Sequence, residues 1–327
     1  MLLQRALVFL WKAIPLVNPF RKPYATEEGI NYFFRSLEKV RGFRLLPAFF
    51  PAGVLQQISV NLVTVKFQSD KTFGTSSIYL PNDDYIGRRL ATYGHWGRVE
   101  SKFLSKLLIN GCVFLDLGAH SGLISMQVAQ NYVRLGGNLA DISFLAVEPL
   151  PINLLPLRLN LKNVFSVGQY DICDFALTDG KSGKWPIFTE IGATMNTSLI
   201  QDVTGDKNVL TEVKALNSAE FFSSARFHRN SQIVLKSDLQ SMDAVVMSTA
   251  GLEFWKRVRG GLIEVVPIKD IDCESVEFLL NKMGLFFSFS WNTSFRELMD
   301  SKAIAQFWCS GTGGPRNLYF VRKHSGS

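Results

Sequence analysis

The feature that most constrains this sequence is the run Val113-Phe-Leu-Asp116-Leu-Gly118-Ala-His-Ser-Gly122. Apolar residues typical of a buried strand lead into an acid and a Gly-x-x-x-Gly turn, and a helical pattern then begins near Leu123. Gly118 lets the backbone approach a ligand, and Gly122 permits close packing of the next helix. The segment therefore predicts a ligand site at the end of a strand, or else simply a tight turn between strand and helix.

The rest of the chain repeats this alternation of strand and helix, which is typical of a parallel sheet covered by helices. The predicted strands are Cys112–Leu117, Ile142–Val147, Asp171–Leu177, Gln232–Leu235 and Gly261–Val266, with a closing pair at Leu285–Trp291 and Asn317–Arg322. The predicted helices are Glu100–Leu108, two that begin near Leu123 and Ile152, and those at Ser241–Gly251 and Cys273–Met283. Short strands or a hairpin insertion are predicted at Trp185–Glu190, Thr197–Val203 and Thr211–Leu216. The segment that links the closing pair is predicted to be a loop.

A second acid, Glu148, ends the next predicted strand at Ala146-Val-Glu-Pro149. A carboxylate at that place can bind ribose hydroxyls. Asp116 suits a cationic ligand and would repel phosphate, and neither Gly-x-Gly-x-x-Gly nor Gly-Lys-Ser/Thr is present to hold a phosphate. A ribose joined to an amino-acid ammonium group describes S-adenosylmethionine, which we therefore predict as the cofactor.

Several segments in this order resemble the FkbM family of class I, S-adenosylmethionine-dependent methyltransferases. They are Phe114–Gly122, Ala146–Asn153, Asp174–Leu177, Ile233–Asp243 and Leu262–Val265. The resemblance implies a Rossmann-like α/β fold with a seven-strand mixed sheet flanked by helices. It also implies transfer of a methyl group to a hydroxyl on a sugar, glycolipid or secondary metabolite.

The resemblance further implies which positions bind the cofactor, from its methionine half through the ribose to the adenine. These are Asp116, Gly118, Ala119, His120 and Gly122, then Glu148 and Pro149, then Asp174 and Phe175. Alternatively, Phe175 belongs to the core and Asp174 is a solvated acid at the end of a strand.

Two further acids are candidates for catalysis. Asp238 follows an apolar strand at the same edge of the sheet and could take a proton from an acceptor hydroxyl or orient it; alternatively it caps the helix that begins near Ser241. Glu264 lies inside an apolar strand, where an unpaired charge is costly, so we expect a polar partner and a role in the site. For Lys236 the alternatives are contact with an acidic substrate group or a solvated lysine at the sheet edge. No His, Asp and Glu cluster has metal-ligand spacing, so no metal is predicted.

Four positions depart from the family's pattern. His120 replaces an Asn, Gln240 and Asp243 each replace a Glu, and Ser241 replaces a Gly. Gln240 and Ser241 motivate an alternative function, that of a catalytically degenerate methyltransferase-like scaffold. A nucleotide-dependent oxidoreductase is a second alternative, disfavoured by the missing dinucleotide glycine pattern.

The net charge of +7 belongs mostly to the N-terminus, because residues 1–50 carry eight Lys and Arg against three Glu. We expect an apolar basic helix at residues 1–22, an N-terminal cap at 23–98 and a methyltransferase domain at 99–327. The helix either contacts an anionic membrane surface or docks on its own domain. Nucleic-acid binding is not indicated, since no basic run with interleaved aromatics follows.

The four cysteines form no Cys-x-x-Cys pair. This argues against a zinc site or a disulfide framework and favours a reducing compartment. We therefore expect a cytoplasmic protein with a small-molecule or glycan acceptor, peripheral at the inner face of a membrane if residues 1–22 bind lipid.

Overall fold

The structure is a computed structural model of the chain. It describes residues 62–63, 78–80, 86, 96–190, 193–199, 208–224, 231–267, 272–289, 299–312 and 314–322. The predicted helix at residues 1–22 and most of the predicted cap at 23–98 lie outside the described residues.

Two short strands, β1 (Leu62–Val63) and β2 (Ile78–Tyr79), come first and pair antiparallel. The first half of the α/β region then consists of α1 (Arg98–Leu107), β3 (Val113–Leu117), α2 (Leu123–Arg134), a 3₁₀ turn (Leu139–Asp141), β4 (Ser143–Val147), α3 (Pro151–Val164) and β5 (Tyr170–Cys173). An insertion follows, made of β6 (Ala176–Thr178), β7 (Gly183–Glu190), β8 (Ala193–Ser198), β9 (Asn208–Asn217) and α4 (Ser218–Ser223). The second half comprises β10 (Ile233–Ser237), α5 (Asp243–Ser248), α6 (Leu252–Arg257), β11 (Val258–Val265), α7 (Cys273–Met283), β12 (Leu285–Ser288), α8 (Ser301–Trp308) and β13 (Arg316–Arg322).

Seven strands form the central sheet, in the order β12-β13-β11-β10-β3-β4-β5. The pairs from β11 to β5 are parallel, and β13 runs antiparallel to both of its neighbours. The order of the strands reverses at β3, because β4 and β5 continue on one side of it and β10 and β11 on the other. This sheet confirms the predicted Rossmann-like class I methyltransferase fold.

The two central strands, β3 and β10, are buried along their whole length, as expected of parallel strands covered on both faces. One face packs against side chains from α1, α2 and α3, and the other against α5, α6, α7 and α8. Gly122 begins α2 with φ +76°, and a Cβ there would lie 2.7 Å from Leu157 Cδ1 in α3. The predicted role of Gly122 in close helix packing is thereby confirmed.

The insertion is a four-stranded sheet in the order β6-β9-β7-β8. It matches the strands predicted between Trp185 and Leu216, although residues 200–207 lie outside the described part. Ile187 of β7 is buried in one cluster with Ala176 of β6 and with Leu150, which lies between β4 and α3 of the main domain. The insertion therefore covers one end of the central sheet.

Three predicted elements differ from the structure. The strand predicted at Asp171–Leu177 is two strands, because the chain leaves the central sheet after Cys173 and enters the insertion at Ala176. The helix predicted from Ser241 begins only at Asp243, because Gln240 and Ser241 have φ of +49° and +83°. The predicted closing loop contains α8, whose first turn is capped by Asp300.

Few cap residues are described, and these pack on the main domain. The Tyr79 N–H donates to Asn160 Oδ1 at 2.8 Å, and Asn160 Nδ2 donates to the Tyr79 carbonyl at 2.6 Å. Leu80 and Ile86 pack against residues of α2. This strand pair is thus attached to α3 and α2.

Candidate cofactor and acceptor site

A cavity of about 650 Å³, including the space open to solvent at its mouth, lies at the carboxyl ends of β3, β4 and β10. We call it the first cavity. Six of the predicted site residues line it: Gly118, His120, Glu148, Pro149, Phe175 and Asp238. The other lining residues are mostly apolar and come from β4, α3, the β10–α5 turn and the insertion. The cavity occupies the point where strand order reverses, which is where ligands bind in open α/β sheets.

Gly118 makes the closest backbone approach in this cavity. Its φ is +73°, and a Cβ at this position would lie 1.9 Å from the carbonyl oxygen of Asp238. The N–H groups of Gly118 and Ala119 both donate to the Val147 carbonyl at 3.0 Å. Any larger residue at 118 would therefore push the β3 turn away from β10.

The carboxylate of Glu148 is held by three donors. Oε2 accepts from the His120 N–H at 2.8 Å, and Oε1 accepts from the Leu150 N–H at 2.9 Å and from Asn153 Nδ2 at 3.1 Å. Since a carboxylate can accept about four hydrogen bonds, one position remains for a ligand hydroxyl. The arrangement fixes an acceptor on the cavity wall before any ligand arrives.

Asn153 supplies a second acceptor on the same wall. Its Oδ1 is buried and has no hydrogen-bond partner among the described residues. An unsatisfied buried carbonyl costs free energy, so a ligand that donates to it gains that cost back on binding. The sequence placed Asn153 in a segment of the family's pattern but gave no reason to assign it a role.

Lys236 of β10 is buried beside the turn that follows β3. Its Nζ donates to the carbonyls of Gly118 at 2.6 Å and Leu117 at 3.3 Å, and it lies 3.1 Å from Asp116 Oδ1. A weaker contact of 3.8 Å reaches Asp238 Oδ2. Lys236 therefore ties the β3 turn to β10.

The charges around Lys236 decide its protonation. Burial by itself would lower the pKa of Lys236, but the carboxylates of Asp116 and Asp238 outweigh burial and raise the pKa above its usual value. Lys236 is thus a buried cation. The expectation of a solvated lysine at the sheet edge was wrong, because β10 is an inner strand paired on both sides.

Asp238 lies on the walls of two cavities. The second cavity is also lined by Trp96, Glu100 and Asn317 and reaches Lys236 and Glu264. Helix α5 begins at Asp243 after Met242, so Asp238 does not cap it, and that alternative was wrong. Asp238 instead accepts from Gln240 Nε2 at 2.9 Å and faces Lys236.

Gln240 joins Asp238 to the other candidate acid. Its Nε2 also donates to Glu264 Oε2 at 3.3 Å, which gives Glu264 the polar partner that the sequence led us to expect. Burial raises the pKa of Glu264 well above its usual range, and the negative charge of Asp238 raises it further. Glu264 therefore holds its proton more tightly than an exposed glutamate does.

Asp243 supports the turn that carries Asp238. It is fully buried, and it accepts from Ser237 Oγ at 2.5 Å and from the Leu239 N–H at 3.0 Å. Burial raises the pKa of Asp243 to about 7 against these hydrogen bonds. The sequence noted this residue only as a shortened Glu and missed its structural role.

The remaining predicted cofactor residues do not line the first cavity. Asp116 is 1% exposed and accepts from Ser125 Oγ at 2.6 Å in addition to its contact with Lys236. Ala119 belongs to the core, and Gly122 begins α2 behind the turn. Asp174 is half-exposed and pairs with Lys214 at 3.4 Å. Cofactor contacts of these four residues stay predictions.

The residues present fit S-adenosylmethionine. The first cavity offers acceptors for hydroxyl groups at Glu148 and Asn153, and apolar walls at Phe175, Leu177 and Met242 for a flat ring system. Its described lining includes two acids but neither Lys nor Arg. Such a wall suits a cationic ligand and disfavours a phosphate.

Comparisons with known proteins find weak similarity to solved structures only. No family model matches the sequence, and a search of curated proteins gives no match. Among solved structures, the chain is similar to precorrin-6y C5,15-methyltransferase from Geobacter metallireducens, with 12% identity, a TM-score of 0.34 and coverage of 69% of this chain and 87% of that one. It is similar to a TehB-like SAM-dependent methyltransferase from Corynebacterium glutamicum, with 11% identity, a TM-score of 0.33 and coverage of 72% and 94%. A third is an O-methyltransferase family protein from Burkholderia thailandensis, with 13% identity, a TM-score of 0.31 and coverage of 74% and 61%. At such low similarity, the assignment of the fold rests on the strand order of the sheet.

Two further observations concern the described residues alone. Their His, Cys, Asp and Glu side chains nowhere gather in threes around a point that could hold a metal ion. Each of their helices is too short or too polar to cross a membrane.

Proposed function

We propose that this protein is an S-adenosylmethionine-dependent methyltransferase that methylates an oxygen atom, with the cofactor in the first cavity and the acceptor in the second. The observation that carries the proposal is the position of Asp238 on the walls of both cavities. A carboxylate at such a junction can contact a bound cofactor and an acceptor together.

The cofactor would be held mainly by the wall of Glu148 and Asn153, with Gly118 giving backbone access and Phe175 an apolar surface. When bound, S-adenosylmethionine supplies an electrophilic methyl group on a sulfonium. The protein therefore has no reactive species to generate, and its task is to place the acceptor and exclude water.

Asp238 is the proposed general base. A hydroxyl that gains a methyl group must lose its proton, and Asp238 can accept it. Glu264 is the less suitable base, because its raised pKa favours the protonated form. Lys236 and Gln240 hold the Asp238 carboxylate in place from two directions. We regard Lys236 and Gln240 as positioning residues.

The acceptor class follows from the FkbM resemblance and is supported by the second cavity. Its wall combines an aromatic ring, Trp96, with Glu100 and Asn317, which are hydrogen-bonded to each other at 2.9 Å. Such a mixture of aromatic and polar groups suits an acceptor that carries several hydroxyls. We propose a hydroxyl on a sugar, a glycolipid or a secondary metabolite.

The two alternatives are less well supported. An oxidoreductase would need to hold a dinucleotide pyrophosphate against the acids Glu148 and Asp238. A scaffold that has lost its chemistry is suggested by Gln240, but the amide of Gln240 bonds to both Asp238 and Glu264 and leaves the acid pair intact.

The test has two stages. S-adenosylhomocysteine should raise the Tm of the wild-type protein, since a ligand that binds the native state stabilises it. Glu148→Ala should abolish the shift, whereas Glu253→Gln, an exposed acid paired with Lys256 outside the site, should keep it. No shift in the wild type at millimolar ligand would refute the cofactor assignment.

The second stage measures transfer of a labelled methyl group to a panel of sugars and glycolipids. Asp238→Asn keeps the acceptor for Gln240 and removes the charge, so turnover should fall by roughly a hundredfold or more while S-adenosylhomocysteine still binds. Turnover near that of the wild type would show that Asp238 is not the base. Binding without transfer to any acceptor would favour the scaffold.

A further inference from the structure

Two cysteines that the proposed reaction does not use lie together at one end of the fold. Cys273 is the first residue of α7, and Cys309 follows the last residue of α8. Both approach the same atom, because the Ala305 carbonyl accepts from the Cys309 N–H at 2.9 Å and from Cys273 Sγ at 3.9 Å. The Cys273 side chain is also near enough to Cys309 to raise the pKa of the Cys309 thiol.

The helices that carry these cysteines are firmly packed. Val276 and Leu280 of α7 and Ile304 and Trp308 of α8 are buried in one hydrophobic core. The packing of both helices in one core therefore holds the two cysteines at neighbouring helix ends.

We propose that Cys273 and Cys309 form a dithiol that a low-molecular-weight disulfide, such as glutathione disulfide, converts into an intramolecular disulfide joining α7 to α8. This site is separate from both cavities, and its test does not depend on the cofactor.

The exposures of the two thiols set the order of the steps. Cys273 is exposed and Cys309 is partly buried. Burial, together with the neighbouring Cys273, raises the pKa of Cys309 to about 12. Cys273 therefore reacts first with an external disulfide.

The exchange balances without another reagent. The Cys273 thiolate attacks one sulfur of glutathione disulfide, so the glutathione S–S bond breaks and one glutathione thiolate leaves. The Cys309 thiolate then attacks Cys273 Sγ, which forms the protein disulfide and releases the second glutathione. The two protons lost by the cysteines go to the two glutathione thiolates, and the protein loses two electrons to the reagent.

The chain supplies its own control thiols. Cys112 is 1% exposed and Cys173 is 2% exposed, and both lie in the core. Neither should react with glutathione disulfide in the folded protein, because a reagent must reach the thiolate.

The experiment treats the full-length reduced protein with glutathione disulfide and measures intact mass, peptide cross-links and Tm. We expect loss of two hydrogen atoms in mass, a Cys273–Cys309 cross-link, and a rise in Tm of at least about 5 °C, because the bond closes a long loop. Dithiothreitol should reverse all three changes.

Two variants identify the steps. Cys309→Ser should stop at a stable mixed disulfide that carries one glutathione, and Cys273→Ser should react slowly or not at all. Cys112→Ser should behave as the wild type does. A mixed disulfide that persists in the wild type, a cross-link between molecules, or no reaction at Cys273 would each overturn the proposal.

Discussion

Replacement of Ser241 by glycine should stabilise the protein. Ser241 lies in the turn between β10 and α5 with φ +83°, in the left-handed region where a Cβ is strained. It is 2% exposed, and its Oγ has no hydrogen-bond partner among the described residues. Glycine removes both the strain and the unsatisfied hydroxyl.

The size of the effect follows from four contributions. The left-handed conformation costs a non-glycine residue about 1–2 kcal/mol, and a buried unsatisfied polar group costs about 1–3 kcal/mol. Against these, glycine loses about 0.5–1 kcal/mol more backbone entropy on folding. A small loss of packing also opposes the gain, so we expect a net increase of about 1–2 kcal/mol in the free energy of unfolding.

Urea unfolding of the variant and the wild type measures this difference. The matched control is Ser105→Gly, at a buried serine in helix α1 whose Oγ donates to the Lys102 carbonyl at 3.0 Å. There glycine should lower stability by about 1 kcal/mol or more, because it weakens the helix and removes a hydrogen bond. If Ser241→Gly were destabilising like the control, the argument from backbone strain would be refuted.

Three other predictions follow from charge. Lys236→Met should lower the free energy of unfolding by about 3–5 kcal/mol, because it leaves Asp116 buried without its cation. Adding Asp116→Asn should recover part of that loss in urea unfolding. No recovery would contradict the ion pair between Lys236 and Asp116. The raised pKa of Asp243 means that this carboxyl holds its proton more tightly in the folded state than in the unfolded state. The free energy of unfolding should therefore fall by up to about 4 kcal/mol as pH rises from about 4 to 7. Asp243→Asn should flatten this pH dependence, and an unchanged pH dependence would exclude Asp243 as its source. Deletion of residues 1–20 should abolish co-sedimentation with anionic vesicles at low salt while cofactor binding persists; loss of folding would favour a helix docked on its own domain.

The parts of the fold that were predictable are those with a strong local pattern. The run from Val113 to Gly122 fixes a strand, a turn and a helix start through apolar residues and two glycines, and α7 ends at Gly284 as its sequence indicates. The order of the family motifs along the chain then predicted the seven-strand sheet. These features follow from local periodicity and backbone geometry, which the sequence displays directly.

The incorrect predictions of secondary structure fall where the local sequence does not determine the course of the backbone. The chain at Asp174 and Phe175 leaves one sheet for another, but apolar residues resume directly after Asp174, as they would within a single strand. Helix α8 is short, and it lies in the linking segment that was predicted to be a loop. Both depend on tertiary contacts, which override weak local preference.

The same limit explains the treatment of Lys236. A lysine within an apolar strand suggests an exposed edge if only its neighbours are considered. The groups that stabilise Lys236 lie far away in the sequence. One is the Leu117 carbonyl, which is separated from Lys236 by 119 residues, and another is Asp116 on the paired strand. Only the strand order of the sheet brings them together.

Gln240 shows how a departure from a family pattern can be compensated in space. A glutamate there would bring a third carboxylate within about 3 Å of Asp238 and Glu264, and so many carboxyl groups would require extra protons or a cation. An amide instead donates to both neighbours. The backbone of Gln240 and Ser241 adopts positive φ to place that amide, and this strain is consistent with a turn held in place for function. Gln240 therefore replaces a negative charge of the family pattern by a hydrogen-bond donor. This explains the substitution better than loss of the catalytic site does.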